Sequence, residues 1–284
     1  MDDDELKEIL INIEKDIYKG KSFSKVFNVL GFGETTSVLE IKNEKFKDIV
    51  LKRVPFFKNK KECEDYIYLH NFYVSEIQRL GLRVAKTSLI PIQLNNKWSI
   101  YIVQEKFKKE DVLSEIIKKS SSEKVWEYVK KVLDLSQNIF RESINRKDGC
   151  NMGFDMQVEN WVVDGDGLIY FDTATPLVKK NGKEQLNLNV FFRSVWWPIG
   201  FVAEKILSPF LLSDYYDFRK SALDMIANLY KEEMGDIIKD IIKKANSYMK
   251  NLEWANYRPF SLLEVKLYYK QNVFVWETYL KGKK

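Results

Sequence analysis

Residues 153–176, GFDMQVENWVVDGDGLIYFDTATP, contain two short apolar runs on either side of a turn sequence rich in Gly and Asp. Such turns join antiparallel strands, so the stretch predicts a β-hairpin. Asp155 and Asp172 border the runs, and Asn160 stands between them. Either the hairpin has ordinary polar ends, or these oxygen-bearing side chains form a site for a metal ion and a phosphate.

The composition is that of an ordinary globular chain. Of 284 residues, 45% are hydrophobic and 31% are charged, which allows a sizeable core in two domains or one large domain. The net charge of +5 comes from 46 basic and 41 acidic residues that are spread along the chain. Because nucleic-acid-binding proteins more often concentrate basic residues in a stripe, we expect no nucleic-acid partner.

Few side chains are suited to redox chemistry or zinc binding. Cys63 and Cys150 form no CxxC pair, and His70 is the single histidine, so we expect no disulfide framework, zinc site or histidine-based triad. The first ten residues contain no apolar signal core. The longest apolar stretch, SVWWPIGFVAEKIL, is interrupted by Pro198 and Gly200 and is too short to span a bilayer. We therefore expect a soluble cytoplasmic protein without membrane contact.

The first part of the chain has the pattern of one helix followed by a β-rich region. Residues 2–19 carry apolar side chains at helical spacing. Residues 25–54 are enriched in β-branched residues and predict three strands, the first two joined by a Gly-rich turn. A helix over residues 59–81 and two strands within residues 86–107 are predicted to follow.

From about residue 108 the pattern becomes helical. Residues 121–144 begin with a Ser/Glu capping pattern and have one apolar face. That face is predicted to contain Val125, Val129, Val132 and Ile139. The predicted fold class is α+β, with an N-terminal helix and a β-rich lobe in residues 1–106 and a mostly helical lobe in residues 107–284.

Five segments occur in an order that resembles the protein kinase-like superfamily. They are LGFGETTSVLEI (30–41), IVLK (49–52), IYIVQEKF (100–107), DMQVEN (155–160) and LIYFDTA (168–174). They resemble, in turn, the Gly-rich loop, the strand of the phosphate-binding lysine, the hinge, the catalytic loop and the metal-binding segment. The resemblance implies a two-lobed fold, with a small β-rich N-lobe that holds one helix and a larger, mostly helical C-lobe.

The resemblance implies a nucleotide site for ATP or GTP. The loop residues that would cover the phosphates are Gly31, Gly33, Thr35 and Thr36. Lys52 would bind the α- and β-phosphates. Gln104 would occupy the gatekeeper position, and the backbone from Glu105 to Phe107 would contact the nucleobase.

The resemblance also assigns metal binding and proton transfer. Asn160 and Asp172 would hold Mg²⁺ through oxygen atoms, which this hard cation prefers. Asp155 would orient the acceptor hydroxyl and accept its proton. Lys52 and Asp155 are thus the predicted catalytic residues.

Several positions depart from the superfamily pattern. Gly153 replaces the histidine two residues before the catalytic Asp, and Gln157 replaces a Lys or His two residues after it. Asp172 is followed by Thr173 and Ala174 rather than Phe and Gly, and no Ala-Pro-Glu motif comes afterwards. Protein kinases use that last segment to dock peptides. The chain therefore resembles the aminoglycoside phosphotransferase and choline kinase branch, whose members act on small molecules.

The helix glutamate that pairs with the phosphate-binding lysine in the superfamily is not evident here. The usual spacing falls near His70 and Asn71, and Glu64 and Glu76 flank these positions. We take Glu76 as the candidate partner of Lys52; alternatively, both glutamates are solvated helix residues. His70 itself is expected to be a packing or surface residue.

Four aromatic residues in the helical part have two interpretations. They are Trp196, Trp197, Tyr215 and Tyr216. Stacking and cation–π contacts would suit an acceptor pocket. Aromatic side chains more often belong to a core, which is the interpretation we favour.

These patterns predict a Mg²⁺-dependent phosphotransferase that acts on a hydroxyl of a small molecule. The alternative is a pseudokinase, a nucleotide-binding or scaffolding module without turnover, which the missing histidine and Phe favour. A third interpretation, a kinase of protein substrates, predicts phosphate on the protein itself or on an added protein. Asp155 separates the first two, because a module that only binds nucleotide has no need of that acid. The acceptor, the choice of nucleotide and the oligomeric state are left open.

Overall fold

A five-stranded antiparallel sheet forms the first large element of the fold. The computed structural model describes residues 3–19, 27–32, 37–187, 190, 212–255, 257–275 and 277. The sheet consists of β1 (Phe27–Phe32), β2 (Ser37–Ile41), β3 (Ile49–Phe57), β4 (Thr87–Leu94) and β5 (Lys97–Glu105). Its strand order is β1-β2-β3-β5-β4, so β3 lies in the centre of the sheet.

One helix separates β3 from β4. This helix, α2 (Lys60–Arg79), begins after Asn59, whose side chain accepts a hydrogen bond from the Glu62 amide at 2.9 Å, as an N-cap does. Asn95 and Asn96, which join β4 to β5, have φ angles of 49° and 61°, as a tight hairpin turn requires. The predicted order of three strands, one helix and two strands is confirmed.

The central strand β3 sends successive side chains to opposite faces of the sheet, as a pleated strand does. Leu51 and Arg53 face the N-terminal helix α1 (Asp3–Tyr18). Lys52 and Val54 face the other side, towards α2 and the helical part of the chain. The core is accordingly divided by the sheet. The α1 side contains, among other residues, Leu6, Leu10, Ile13, Phe27, Tyr101 and Val103.

A buried ion pair fastens α1 to the sheet. Glu14 is 2% exposed, and its two carboxylate oxygens accept hydrogen bonds from Arg53 Nε at 2.7 Å and Nη2 at 3.1 Å. The Tyr101 hydroxyl donates to the same carboxylate at 2.6 Å. Each oxygen of this buried charge thus has a partner, which offsets the cost of removing it from water.

Helices dominate the second part of the chain. They are α3 (Leu113–Ile117), α4 (Ser122–Asn145), α5 (Phe218–Asn228), α6 (Ile238–Lys250) and α7 (Leu262–Val275). All four residues predicted for the apolar face of α4 are buried. Of the helices in the described residues, none is both long enough and apolar enough to span a bilayer. The predicted α+β class is confirmed, and the boundary at residue 106 stays a prediction.

The hairpin predicted within the helical part is confirmed. It consists of β7 (Trp161–Asp164) and β8 (Gly167–Tyr170). The Tyr170 amide donates to the Arg83 carbonyl at 2.8 Å, and the Tyr170 carbonyl accepts from the Ala85 amide at 2.9 Å. The hairpin is therefore attached to the segment that joins α2 to β4, which brings the end of β8 close to the sheet.

A small second sheet is not predicted by the sequence. It is formed by β6 (Cys150–Met152), β9 (Val178–Lys180) and β10 (Lys183–Glu184), in the order β10-β9-β6. The turn between β9 and β10 contains Asn181 and Gly182, whose φ angles are 50° and 75°. An Asn-Gly pair is a strong hairpin signal. The flanking strands are too short to show an alternating pattern.

We expect Glu14→Ala to destabilise the fold by about 3–5 kcal/mol, because it leaves Arg53 partly buried without its charge partner. The measurement is urea-induced unfolding. Glu8→Ala, an exposed position on the same helix, is the matched control. Equal midpoints for the two variants would contradict a stabilising role of the pair.

Candidate functional site

Lys52 is held at the junction of the sheet and the hairpin. The residue is 5% exposed. Its Nζ donates to Asp172 Oδ1 at 3.1 Å and to the Phe171 carbonyl at 3.0 Å. The structure thus brings together two predicted site residues that lie 120 positions apart in the sequence. A buried ammonium group needs such partners to remain charged at low cost.

The Phe171 carbonyl accepts a second side-chain hydrogen bond, from the predicted gatekeeper. Gln104 Nε2 donates to it at 2.9 Å and to Thr87 Oγ1 at 3.0 Å. Side chains from β3 and β5 therefore both hold the residue that precedes Asp172. The Phe171 ring also lies 6.2 Å from the ring of Phe107, a predicted hinge residue.

The backbone donors of the predicted hinge are partly used within the protein. The Glu105 amide donates to the Lys86 carbonyl at 3.3 Å, and the Lys106 amide donates to the Asp48 carbonyl at 2.8 Å. The Glu105 carboxylate accepts from the Lys86 amide at 2.9 Å. These bonds fix the path of the chain as it leaves β5, just before Phe107.

Asn160 lies beside the same segment. Its carbonyl accepts a hydrogen bond from the Phe171 amide at 3.0 Å, so the backbones that carry Asn160 and Asp172 run next to each other. The Asn160 side chain is buried, and its Nδ2 has no hydrogen-bond partner among the described residues. A buried amide without a partner costs free energy, and a ligand reaching this side chain would supply one.

The donor set fits Mg²⁺ bound together with phosphates. Mg²⁺ is usually held by one or two carboxylates, with water and substrate phosphates completing its six ligands. Asp172 offers a carboxylate and Asn160 an amide oxygen. Within the described residues, no group of three or more His, Cys, Asp or Glu side chains could hold a metal ion. An ion held by these two side chains would complete its ligands with water or phosphate oxygens.

Asp155 lies in the loop between β6 and β7. Its Oδ1 accepts a hydrogen bond from the Gln157 amide at 2.9 Å, which orients the carboxylate. Burial, together with the negative charges of Asp155 and Asp172, raises the pKa of Tyr73 well above its ordinary value. Burial and the nearby Tyr73, followed by Asp155 and Asp172, raise the pKa of Tyr170. Both carboxylates thus lie within electrostatic range of Tyr73 and Tyr170.

The backbone before Asp155 is anchored from several directions. The Gly153 amide donates to the Leu177 carbonyl at 2.9 Å, and the Phe154 amide donates to the Tyr215 carbonyl at 2.8 Å. The Ser221 hydroxyl on α5 donates to the Phe154 carbonyl at 3.1 Å. The loop is therefore supported without the histidine that the superfamily pattern places at residue 153.

Steric crowding explains why residue 153 is a glycine. A Cβ atom there would lie 3.0 Å from the Tyr215 carbonyl oxygen, 3.1 Å from Leu177 Cβ and 3.2 Å from Tyr216 Cδ1. Two of these contacts are with atoms that cannot move away easily. The departure from the superfamily pattern thus follows from close packing of the loop.

One face of α2 contacts the segments around Asp155 and Asp172. The Tyr66 hydroxyl donates to the Ala174 carbonyl at 2.7 Å, and the Tyr73 hydroxyl donates to the Gly153 carbonyl at 3.2 Å. His70 Nε2 lies 3.1 Å from Thr173 Oγ1. Because positions three and four apart share a helix face, Tyr66, His70 and Tyr73 make these contacts from the same face of α2. The sequence analysis missed the two tyrosines, although their spacing with His70 was a visible signal.

The predicted pairing of Lys52 with Glu76 is wrong. Glu76 accepts hydrogen bonds from Arg79 at 3.1 Å and from Arg146 at 2.6 Å, and Glu64 pairs with Lys60 at 3.3 Å. The position at superfamily spacing is occupied by buried His70. Burial, and secondarily the charge of Lys52, lower the pKa of His70 to about 4, so the imidazole is neutral at physiological pH.

The remaining predicted residues are only partly described. Gly31 lies in β1 opposite Val38, where the pairing of β1 with β2 is irregular. Gly33, Thr35 and Thr36 lie outside the described residues, as do Trp196 and Trp197. Tyr215 and Tyr216 are partly buried and pack against the core, which is the interpretation favoured from the sequence.

We expect Gly153→Ala to lower stability by about 1–3 kcal/mol, because the added methyl group overpacks the loop. Gly235→Ala is the control, since a Cβ at residue 235 would meet its nearest neighbour at an ordinary 3.5 Å. Urea unfolding compares the two variants. Similar midpoints would show that the loop yields to a side chain at residue 153.

Tyr66→Phe is expected to cost about 1–3 kcal/mol, because the buried Ala174 carbonyl loses its donor. Tyr68→Phe is the matched control on the same helix, since Tyr68 is 74% exposed. Thermal unfolding followed by circular dichroism measures both. An unchanged melting temperature for Tyr66→Phe would show that this hydrogen bond contributes nothing net.

The sequence profile of a family of unknown function, DUF6206, matches residues 17–277 of the chain. No curated protein matches the chain. Among solved structures, the chain is similar to "Amicoumacin kinase hAmiN in complex with AMP-PNP, Ca2+ and Ami", with 12% sequence identity and a TM-score of 0.34 over 89% of this chain and 88% of that chain. That TM-score is too low for the similarity to support a function for this chain. The profile match over most of its length shows that the chain belongs to the family of unknown function DUF6206.

Proposed function

We propose that the protein is a Mg²⁺-dependent phosphotransferase with a protein kinase-like fold, which transfers a phosphoryl group from ATP or GTP to a hydroxyl of a small molecule. The observation that carries the proposal is the contact of Lys52 with Asp172, at 3.1 Å. The two residues were predicted from separate motifs, one for phosphate binding and one for metal binding. Their meeting at the end of the hairpin supports a common site.

The nucleotide would lie against the β3 and β5 side of this site. Lys52 would turn from Asp172 to the α- and β-phosphates, and the loop containing Gly31, Gly33, Thr35 and Thr36 would cover them. Gln104 and the backbone from Glu105 to Phe107 would contact the nucleobase. Asp172 and Asn160 would hold Mg²⁺, which when bound supplies positive charge that neutralises phosphate oxygens.

Asp155 would align the acceptor. Its carboxylate would accept the proton of the acceptor hydroxyl as that oxygen bonds to the γ-phosphorus, while the bond from the γ-phosphorus to the bridging oxygen breaks and the nucleoside diphosphate leaves. The Gln157 amide holds one carboxylate oxygen at 2.9 Å. Fixing the base in this way lowers the entropic cost of reaching the reactive geometry.

The segment after Asp172 supports a small-molecule acceptor. Residues 178–180 form β9, which pairs with β6 and β10, and residue 174 is held by Tyr66. The chain is thus used in a short sheet at the place where protein kinases present a peptide-docking segment. The cytoplasmic location and the absence of nucleic-acid and membrane partners stay predictions.

The second candidate function is a nucleotide-binding module without turnover. The observation that favours it is that buried His70, rather than a glutamate, occupies the α2 position expected to pair with Lys52. Asp155 distinguishes the two functions, since only turnover requires it.

We expect Mg-ATP or Mg-GTP to raise the melting temperature of the wild type, and Asp172→Asn to abolish the shift. Ligand binding to the native state stabilises it by about 2.7 kcal/mol at 100 times Kd. Excess EDTA is the metal control, and Asp166→Asn, an exposed position in the hairpin turn, is the variant control. A cooperative transition that neither nucleotide shifts would sink both candidate functions.

The Asp155→Asn variant is expected to keep the nucleotide-induced shift and to lose phosphoryl transfer by roughly 10²–10⁴-fold. The measurement is ADP or GDP formation with a panel of small hydroxyl compounds as acceptors. Wild-type protein that binds nucleotide yet transfers to none of these compounds would favour the module without turnover. An Asp155→Asn variant as active as wild type would refute the role proposed for Asp155.

A further inference from the structure

A buried carboxylate lies behind the loop that carries Asp155. Asp224 on α5 is 3% exposed. Its Oδ2 accepts a hydrogen bond from Gln157 Nε2 at 2.7 Å, and its Oδ1 accepts one from Asn272 Nδ2 on α7 at 2.8 Å. The sequence analysis assigned no role to Asp224 or Asn272. The carboxylate thus joins two helices to the loop through side chains alone.

Gln157 connects this carboxylate to the predicted base. The Gln157 side chain is held by Asp224, and the Gln157 amide donates to Asp155 Oδ1 at 2.9 Å. If the Gln157 side chain moved, the backbone amide of Gln157 would move with it. The hydrogen bond that orients Asp155 would then change. The contacts form one chain: Asn272, Asp224, Gln157 and Asp155.

Burying the Asp224 carboxylate in its ionised form costs free energy. Burial raises the pKa of Asp224 to about 6, and the nearby charges of Asp214 and Glu159 act in the same direction. The hydrogen bonds from Gln157 and Asn272 favour the ionised form and offset part of this effect. A neutral side chain would avoid the cost of burying the charge.

The groups facing Asp224 come from three elements. They are Gln157 and Glu159 before β7, Asp214 before α5, and Tyr268 and Asn272 on α7. Asp214 is itself bound by Lys220 at 2.8 Å and by the Tyr268 hydroxyl at 3.0 Å. Both direct partners of Asp224 are N–H donors. An ionised carboxylate accepts from both, whereas a protonated one presents a hydrogen to one of them.

We propose that Asp224 is a positioning residue, whose ionised carboxylate holds Gln157 so that the Gln157 amide keeps Asp155 aligned with the acceptor, and that Asn272 of α7 fixes Asp224 for this task. The proposal rests on the proposed function in one respect, the role of Asp155 in phosphoryl transfer. It makes the last described helix a part of the support of the catalytic loop.

The first test is the pH dependence of Mg-ATP hydrolysis by the full chain, with water as acceptor. At pH 7.5, Asp224→Asn is expected to be roughly 10- to 100-fold slower than wild type, as expected for a misaligned base, with unchanged affinity for Mg-ADP. The ratio of the wild-type rate to the variant rate is expected to approach one at pH 5, where wild-type Asp224 is protonated and resembles the variant. The ratio cancels the ionisation of the nucleotide itself.

As the pH falls, the folding stability of wild type relative to Asp224→Asn is expected to rise, whereas its relative activity falls. The pKa of Asp224 is about 6 in the folded protein and lower when unfolded, so the ionised carboxylate opposes folding. Wild type should gain stability relative to Asp224→Asn as the pH falls from 7.5 to 5. A residue with a purely structural role would not lose activity while the fold gains stability.

The second test measures how firmly the loop that carries Asp155 is held, and it does not depend on catalytic turnover. Amide hydrogen exchange at pH 7.5 is expected to be faster in residues 153–160 of Asp224→Asn, and of Asn272→Ala by a smaller factor, than in wild type. Asp236→Asn, an exposed acid, is the control. Unchanged exchange in both variants overturns the proposal, as does a variant-to-wild-type rate ratio that is independent of pH.

The two tests separate this proposal from the proposed function. A wild type that neither binds nor hydrolyses Mg-ATP or Mg-GTP refutes the proposed function, and the exchange experiment then decides whether Asp224 and Asn272 hold the loop. If Asp224→Asn fails to fold, Asn272→Ala removes one donor from the same chain of contacts and is judged by the same two criteria.

Discussion

The carbonyl group of Phe171 is the point on which the site depends. It accepts hydrogen bonds from Lys52 and Gln104, and the amide of the same residue donates to the Asn160 carbonyl. Two strands of the large sheet and the start of the hairpin are therefore fastened to one peptide unit. Asp172 follows directly, so the position of its carboxylate is determined by the sheet as much as by the hairpin.

The helix α2 contributes to the same centre by a different chemistry from the one expected. A glutamate would have formed an ion pair with Lys52. Instead, three neutral side chains of α2 make the contacts: Tyr66 with Ala174, His70 with Thr173 and Tyr73 with Gly153. A neutral hydrogen-bonding group loses less hydration free energy on burial than an ion does. The helix is consequently attached to the helical part of the chain at two segments rather than to Lys52 alone.

Local patterns in the sequence were sufficient for much of this structure. The hairpin, the strand order around α2 and the apolar face of α4 follow from periodicity and turn residues, and the resemblance placed Lys52 and Asp172 in one site. The predicted partner of Lys52 is wrong because the α2 position at the expected spacing is His70, which is buried and neutral. Asp224 carried no local signal, since its partners Gln157 and Asn272 lie 67 and 48 residues away. Strands of two or three residues, such as β10, depend on distant pairing and leave no pattern of their own.

The adjacent cations on β3 have a consequence for how the strand can pair. Lys52 lies opposite Ile102 and faces the site, whereas Arg53 lies opposite Tyr101 and faces Glu14. A slip of one residue in register would turn each side chain to the other face. A slip in one direction would present Arg53 to Asp172 and leave Glu14 buried opposite Val54. The two ion pairs, one on each side of the sheet, therefore specify a single alignment of the central strand.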